Sequence, residues 1–559
     1  MVTLGTGYRK TLESSTRKGH APTVLGSTPS RRDPTDLRRR PPALGLSCLL
    51  GAASFLVYAL TASPYAGFDD VAEFQTLSVT RGIAHAGYPL YLVCLESFQA
   101  LAPGTVAYGA NLFSGLAAAL AVALLVWIGT RRTGCRLGGL AAAAVLAGSY
   151  AHWFNATHAE VYAFTLALSL GGLAAHMEYE SSRRGPMLFC TGLLLGAALG
   201  SHLSSLALAG ALGAAILLAV ARGLAPVPHL AWLGAGGLLG LSPLLLIPLR
   251  DTPANAMHYV QYTFHPHVPG FLPWDPSWGT RLARAASLLS GAQFLEHGWF
   301  HPFEVPLYRL RLLALDLVGN ELFGPATLLA IAGAWRALWR GALNRLLLLW
   351  GALLLVLLLY AANPLLLADF FLPGVAILAL FAGGACADLA RRVGRTGHAR
   401  LAAWAGGTLV PLLVLFPLAR TRLAEPPLGL AARPLVARVW QAWPKTWDPF
   451  APDASWERYA REALAVLPRG ALVLHGWEEG TTFLYGRYAL GLRPDVTHSM
   501  VGSATHGEAL VREGRERRAA VYTTMPKRRQ PASVEWELAG QWERGELWRA
   551  VESPEGAVF

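Results

Sequence analysis

The sequence predicts an all-α polytopic membrane domain of about eleven transmembrane helices, followed by a small C-terminal α/β domain. Three observations lead there. The 559 residues are 53% hydrophobic and 15% charged, with a mean hydropathy of +0.37, whereas soluble proteins carry about 25% charged residues. Apolar runs long enough to approach a bilayer span recur from residue 43 to residue 418. Basic residues gather in alternate connections between those runs.

In chain order, residues 1–41 are polar and basic, ending in RRDPTDLRRRPP, and read as a disordered cytoplasmic N-terminus. The membrane domain covers residues 42–420. Its first run, about 43–63, follows too long a polar segment to be a signal peptide and reads as a retained helix. Further runs fall near 108–130, 137–152, 159–177, 187–201, 203–221, 228–249, 322–339, 345–361, 369–386 and 401–418. With the N-terminus inside, the inner connections hold Arg131, Arg132, Arg136, Arg183, Arg184, Arg222, Arg336 to Arg345 and Arg391 to Arg400. That order satisfies the positive-inside rule at each step and implies a multi-pass protein of the cell (inner) membrane. It leaves two long outer loops, 64–107 and 250–321, and places residues 421–559 outside the cytoplasm. Within the first outer loop, Asp70 to Arg81 and Tyr88 to Ala102 each suit a short interfacial helix. The second, rich in Trp, His and Pro, suits a cap over the same face.

Residues 421–559 change character: Ala471–His475, Val496–Met500 and Ala519–Tyr522 read as strands and Thr481–Ala489 as a helix. The segment after the first of these strands, HGWEEGTT, is no Gly-rich phosphate loop, so nucleotide binding is not expected. The net charge of +12 comes from topology-setting residues and does not point to nucleic acid. The five cysteines, Cys48, Cys94, Cys135, Cys190 and Cys386, stand singly, which indicates neither a disulfide framework nor a Cys metal site.

The chemistry concentrates in GFDDVAEFQTLSVTRGIAHAGYPL, residues 67–90. Carboxylates so close to a bilayer are expensive unless they have partners or a task. Asp70 and Glu73, three apart, share one helix face, and Asp69 adjoins them. Such a pair suits a general base with a partner that raises its pKa. The same spacing suits a capping box with Asp70 at the N-cap and Glu73 at the third helical position. The acids admit a divalent metal without demanding one, since no His is paired with them in sequence, and no other cofactor is indicated. His85 suits a phosphate or acceptor ligand, or a polar anchor for the Gly87-Tyr88-Pro89 turn. Arg250, leaving a helix on the outer side, suits a phosphate clamp or a snorkelling flank. His202 is a second phosphate candidate. Glu160 and Asp369, at the starts of apolar runs, suit cavity residues or helix-end charges. Trp153, Tyr88, Trp274 and Trp278 suit sugar stacking or an interfacial aromatic belt.

These residues also carry a family resemblance. Asp70-Val-Ala-Glu73-Phe, Ala84-His85-Ala-Gly87-Tyr88-Pro89-Leu90 and Asn111-Leu-Phe-Ser114-Gly resemble the first-loop signature of a protein O-mannosyltransferase-like family of polytopic membrane glycosyltransferases. Trp153 with Glu160-Val161-Tyr162, Leu246-Ile-Pro-Leu-Arg250, Trp278-Gly279 and Asp369-Phe-Phe-Leu-Pro373 resemble its later landmarks, so the resemblance spans roughly residues 45–385. Two departures stand out: Ala-Gly follows His85 where the family has Pro-Pro-Gly, and Asp69 adds a carboxylate, leaving both Asp69 and Asp70 as candidate bases.

The resemblance implies a GT-C-type enzyme that moves a sugar, mannose by the family pattern, from a polyprenyl-phosphate donor to a protein or glycan hydroxyl on the extracytoplasmic face. It implies Asp70 as base with Glu73 and Asp69, and His85, Tyr88, Arg250, His202, Glu160, Trp278 and Asp369 as substrate-binding residues. Its expected partners are the lipid-linked donor and the acceptor. The rival reading is a membrane transporter or flippase, which would place its charges near the bilayer midplane and show repeated halves. Here the acids gather in the outer loops.

Overall fold

A computed structural model describes residues 43–252, 277–290, 304–361, 367–395, 452–501 and 504–551. The expected run at 401–418, Trp274, the expected disordered N-terminus and the first part of the C-terminal segment lie outside the described residues.

Helix α1 (Leu44–Thr61) packs against α4 (Val106–Thr133), the central helix, whose 28 residues span about 42 Å. Between them in sequence lie two short helices, α2 (Asp69–Thr80) and α3 (Pro89–Gln99), at the sites expected for the first outer loop. Beyond α4 come α5 (Arg136–Ala147), α6 (Tyr150–Thr157), α7 (Val161–Ser182), α8 (Gly185–Ser201), α9 (Leu206–Ala221), α10 (Pro228–Leu241) and α11 (Leu246–Arg250). The remaining membrane-domain helices are α12 (Trp278–Ser290), α13 (Glu304–Asp316), α14 (Phe323–Ala337), α15 (Ala342–Ala361), α16 (Leu367–Phe370) and α17 (Leu372–Arg395).

Among the described residues six helical stretches are long and apolar enough to cross a membrane, or seven if α5 and α6, bent by 68° at Gly148-Ser149, make one broken span. The expectation of about eleven is not reached among the described residues, which exclude the run at 401–418. The reasons are local. The α14 helix has 15 residues, short of a full crossing, α8 has 17, at the lower limit of one, and α7 carries His176, Glu178 and Glu180 in its second half. Leu49, Leu56, Leu60, Leu217, Leu238 and Ile331 lie exposed on helix surfaces, as lipid-facing side chains should.

One contact explains how these helices approach so closely. On α8, Gly192 and Gly196 face Gly236 and Gly240 of α10, and a methyl group at Gly192, Gly236 or Gly240 would fall 2.1 or 2.2 Å from a backbone oxygen of the other helix. This is the small-xxx-small packing that lets membrane helices touch backbone to backbone. Gly236→Ala should therefore force the pair apart and destabilise the fold by roughly 1–3 kcal/mol, read as a lower unfolding temperature in detergent. A variant that melts with the wild type would contradict the contact.

Several of the basic helix-end residues are paired with acids. Arg131 pairs with Glu178 at 2.7 Å, and Arg336, Arg340 and Arg391 surround Asp388. Arg131 and Arg132 close α4, whereas the acidic loop packs at its other end.

The C-terminal domain holds α18 (Ser455–Ala465), β1 (Leu472–His475), α19 (Trp477–Tyr488), β2 (Thr497–Met500), α20 (Ala504–Glu516), β3 (Val521–Thr523), β4 (Trp536–Trp542) and β5 (Gly545–Ala550). The sheet runs β2-β1-β3-β5-β4, with β2, β1 and β3 parallel and β5 antiparallel to both neighbours. The three parallel strands match the expected ones. The β4–β5 hairpin escaped the sequence because β4 is mostly solvent-facing and carries no apolar run.

Candidate active site

The site is assembled on α2. Asp69 opens the helix in a left-handed conformation (φ 55°), which Asp tolerates better than most residues, and Phe68 is the N-cap. No side chain caps this helix, so the capping-box reading of Asp70 and Glu73 is corrected: both carboxylates are committed elsewhere. Residues Val71 to Ser78 are all buried.

The His85 turn is built by its flanking residues. Gly87 (φ 92°) closes a tight turn in which its N–H donates to the Ala84 carbonyl at 2.9 Å. Tyr88, also left-handed, then leads into Pro89 at the first position of α3. This turn carries His85 back over α2. Glu73 Oε1 accepts the His85 backbone N–H at 2.9 Å, and Glu73 Oε2 lies 2.6 Å from Nδ1. On the other edge of the ring, Nε2 lies 3.4 Å from Asp70 Oδ2. His85 is thus paired with both acids, a link invisible in sequence.

Charge follows geometry. Burial pulls His85 toward neutrality, but the Asp70 and Glu73 carboxylates and the Glu73 hydrogen bond outweigh it and raise its pKa to about 9. Burial, then repulsion from Asp70, pushes Asp69 up to about 7. Burial also raises Glu73, although His85 pulls against the shift. Ligand atoms of Asp70, Glu73 and His85 lie within 4.8 Å of one another, close enough to hold a cation. In this arrangement their hydrogen bonds already satisfy one another, so a cation would have to replace those bonds.

Other expected residues join from the helices behind. The His202 ring stacks between Tyr88 (6.3 Å) and Phe370 (5.1 Å) and meets Tyr162 edge-on at 5.1 Å. Its Nδ1 accepts the Ser204 backbone N–H, so the ring proton sits on Nε2. Tyr162 also meets Phe370 at 5.6 Å, which sets α7 beside α16 and brings Glu160 and Asp369 to the same region. Glu160 is buried, anchored through its main chain to Ser114 Oγ at 3.1 Å, and its Oε2 has no hydrogen-bond partner among the described residues. Asp369 accepts from Asn155 Nδ2 at 2.7 Å, while Asn155 Oδ1 is buried with no hydrogen-bond partner among the described residues.

Three candidates are placed differently. Arg250 forms a bidentate pair with Glu96 (2.6 and 2.8 Å) and also reaches the Gly82 carbonyl. It ties α11 to α3 and to the chain just before His85. Trp278 is exposed at the start of α12 with Arg281 over its ring. Trp153 is buried against Tyr58 and donates to Thr61 Oγ1. Asn111 and Ser114 serve the framework: Asn111 holds Gln75 of α2 and the Ser63 carbonyl.

The sequence missed Trp477. Its Nε1–H donates to Asp70 Oδ1 at 3.0 Å and its ring meets His85 edge-on at 5.7 Å. Glu96 was missed as well, although a single acid in the otherwise apolar α3 run PLYLVCLESFQ was a visible signal. Glu321, also missed, accepts the Ala151 N–H at the start of α6.

A model of the protein O-mannosyl-transferase TMEM260 N-terminal domain matches residues 70–222. Over these residues the chain is similar to that domain family. The matched domain begins at Asp70 and contains Glu73, His85, Tyr88, Glu160 and His202. Mouse protein O-mannosyl-transferase TMEM260 is 35% identical over 122 residues, which is 22% of this chain and 17% of the mouse protein. Two crystal structures of ArnT from Cupriavidus metallidurans share the fold. The apo form has a TM-score of 0.52 at 13% identity, over 91% of this chain and 98% of ArnT. The form bound to undecaprenyl phosphate has a TM-score of 0.53 at 14% identity, over 92% of this chain and 100% of ArnT. The ArnT likeness therefore runs well beyond the TMEM260 domain.

Proposed function

We propose that this protein is a membrane glycosyltransferase that moves a sugar from a polyprenyl-phosphate donor to an acceptor hydroxyl on the extracytoplasmic face. The observation that carries this reading is the Asp70–His85–Glu73 cluster on the TMEM260-type first loop, in the same matched domain as buried Glu160, whose Oε2 has no hydrogen-bond partner among the described residues. The family's name supports mannose as the sugar, and the undecaprenyl phosphate held by a protein of the same fold supports the donor class.

In the reaction the acceptor oxygen attacks C1 of the sugar, the bond from C1 to the phosphate oxygen breaks, and polyprenyl phosphate leaves as an anion. Asp70 takes the acceptor proton as general base. Glu73 holds protonated His85, and His85 in turn faces that carboxylate and balances its charge. Glu160, Asp369 and Asn155 receive the sugar hydroxyls, against the aromatic wall of Tyr88, Tyr162, His202 and Phe370. Neutral His202 offers Nε2–H to an oxygen of the donor. Arg250, already paired with Glu96, acts by holding the His85 turn.

The test is transfer by purified protein in lipid, supplied with polyprenyl-phosphate mannose and with other polyprenyl-phosphate sugars, read by mass spectrometry of an acceptor peptide or glycan. Glu160→Gln should keep the fold and lower kcat/KM at least ~10-fold, since a site built to bind a hydroxyl discriminates through that group. Wild-type turnover by Glu160→Gln would remove Glu160 from the sugar site. Movement of intact donor across a bilayer without transfer would favour a flippase instead.

A further inference from the structure

We infer that the C-terminal α/β domain is part of the active site, and that it lends Trp477 to hold the Asp70 carboxylate. The inference rests on the glycosyltransferase reading and goes beyond the family domain, whose match ends at residue 222.

Trp477 is the first residue of α19, directly after β1 and Gly476. Its position is set from two sides. Behind it, α19 lies against the sheet: a methyl group on Gly480 would meet the Met500 sulfur at 2.3 Å, so the helix cannot lift without losing that close fit. In front, the domain grips the chain leading into α2. Thr482 Oγ1 donates to the Gly67 carbonyl at 3.0 Å, Glu457 Oε2 accepts the Ala66 N–H at 3.1 Å, and Trp456 stacks on Phe68 at 4.9 Å. The Tyr485 hydroxyl accepts the Ala107 N–H at the foot of α4. These contacts flank Asp69-Asp70 on the chain, so the domain is docked where the acid must be aimed.

Asp70 is then held by both oxygens, Oδ1 by the indole N–H and Oδ2 facing His85 Nε2. An indole N–H only donates. It therefore favours the carboxylate in the acceptor form that a base needs, and it fixes the plane of the group. The partners are 407 residues apart in sequence, so the first loop by itself holds only part of the site. Trp477 acts through Asp70 as a positioning residue.

The experiment compares wild type, Trp477→Phe, Asp70→Ala and the double variant, each as the full chain in detergent or lipid. Phe keeps the ring against His85 and removes only the N–H. In the transfer assay Trp477→Phe should lower kcat at least ~10-fold while leaving the donor KM within about twofold. In thermal unfolding, the loss caused by Trp477→Phe should vanish in the Asp70→Ala background, because the two share one hydrogen bond. A wild-type kcat for Trp477→Phe, or additive unfolding shifts in the double variant, overturns the inference. The unfolding cycle decides this whether or not a donor is turned over. Coupling without transfer from any polyprenyl-phosphate sugar keeps the Trp477–Asp70 link and overturns the enzymatic reading instead.

Discussion

Asp70→Asn should abolish sugar transfer, with kcat falling roughly 10²–10⁴-fold, while Asp69→Asn should keep most of it. The two positions are adjacent, and the resemblance to a first-loop signature leaves both open. Geometry separates them. The indole N–H of Trp477 and the His85 ring converge on Asp70, so its carboxylate is aimed and its charge balanced. Asp69 opens the helix with a left-handed backbone, and burial with repulsion from Asp70 raises it to about 7. Asn accepts the same backbone, so Asp69→Asn should fold normally. Asn at 70 keeps the shape and can still accept from Trp477, yet it cannot take a proton. Single-turnover transfer with labelled donor measures both variants, and equal losses at 69 and 70 would mean that the base is not yet assigned to one residue. Since His85 is charged below about pH 9, the variant also leaves a cation facing a neutral amide. Its unfolding temperature should therefore drop modestly, a readout independent of turnover.

How much of this was legible depended on the range of the interaction. The helices of the first loop were readable because apolar periodicity and the Pro89 start are local signals, and α2 and α3 fall where expected. The pairing of His85 with Glu73 was not, since it depends on the left-handed pair Gly87 and Tyr88 folding the turn back. Capping, the bland reading of Asp70 and Glu73, failed because the helix begins two residues earlier than that reading requires, at Asp69 with Phe68 as N-cap. Arg250 was readable as a helix-end guanidinium, but its carboxylate partner lies 154 residues away on α3. Trp477 sat in a segment noted only for lacking a phosphate loop, and its role depends on domain docking, which has no signature in a single sequence. Counting apolar runs does not show whether each is straight: the run expected at 137–152 holds a 68° break between α5 and α6.

The largest stability effect is expected at His85, with a pH dependence whose sign is fixed. Glu73 is fully buried, and its carboxylate meets one cation, His85. His85→Ala strands that charge and should cost about 3–5 kcal/mol. Glu73→Gln should cost less, because Gln can still accept the His85 backbone N–H and carries no charge to strand. The pH profile follows from linkage. His85 has a folded pKa of about 9, above its ordinary 6.5. Its contribution is therefore complete below about pH 6.5, falls by up to about 1.4 kcal/mol per pH unit above that, and is gone past about pH 9. Asp69, raised from 3.8 to about 7, has the same sign in a lower window, its contribution fading as pH rises from about 4 to 7. Wild-type unfolding temperature should thus decline from pH 6.5 to 9. The decline should flatten in the Glu73→Gln variant, where His85 loses one of the two carboxylates that hold its proton. A wild-type profile that rises across that interval would show that His85 is neutral in the folded protein and that the cluster is held by hydrogen bonds alone.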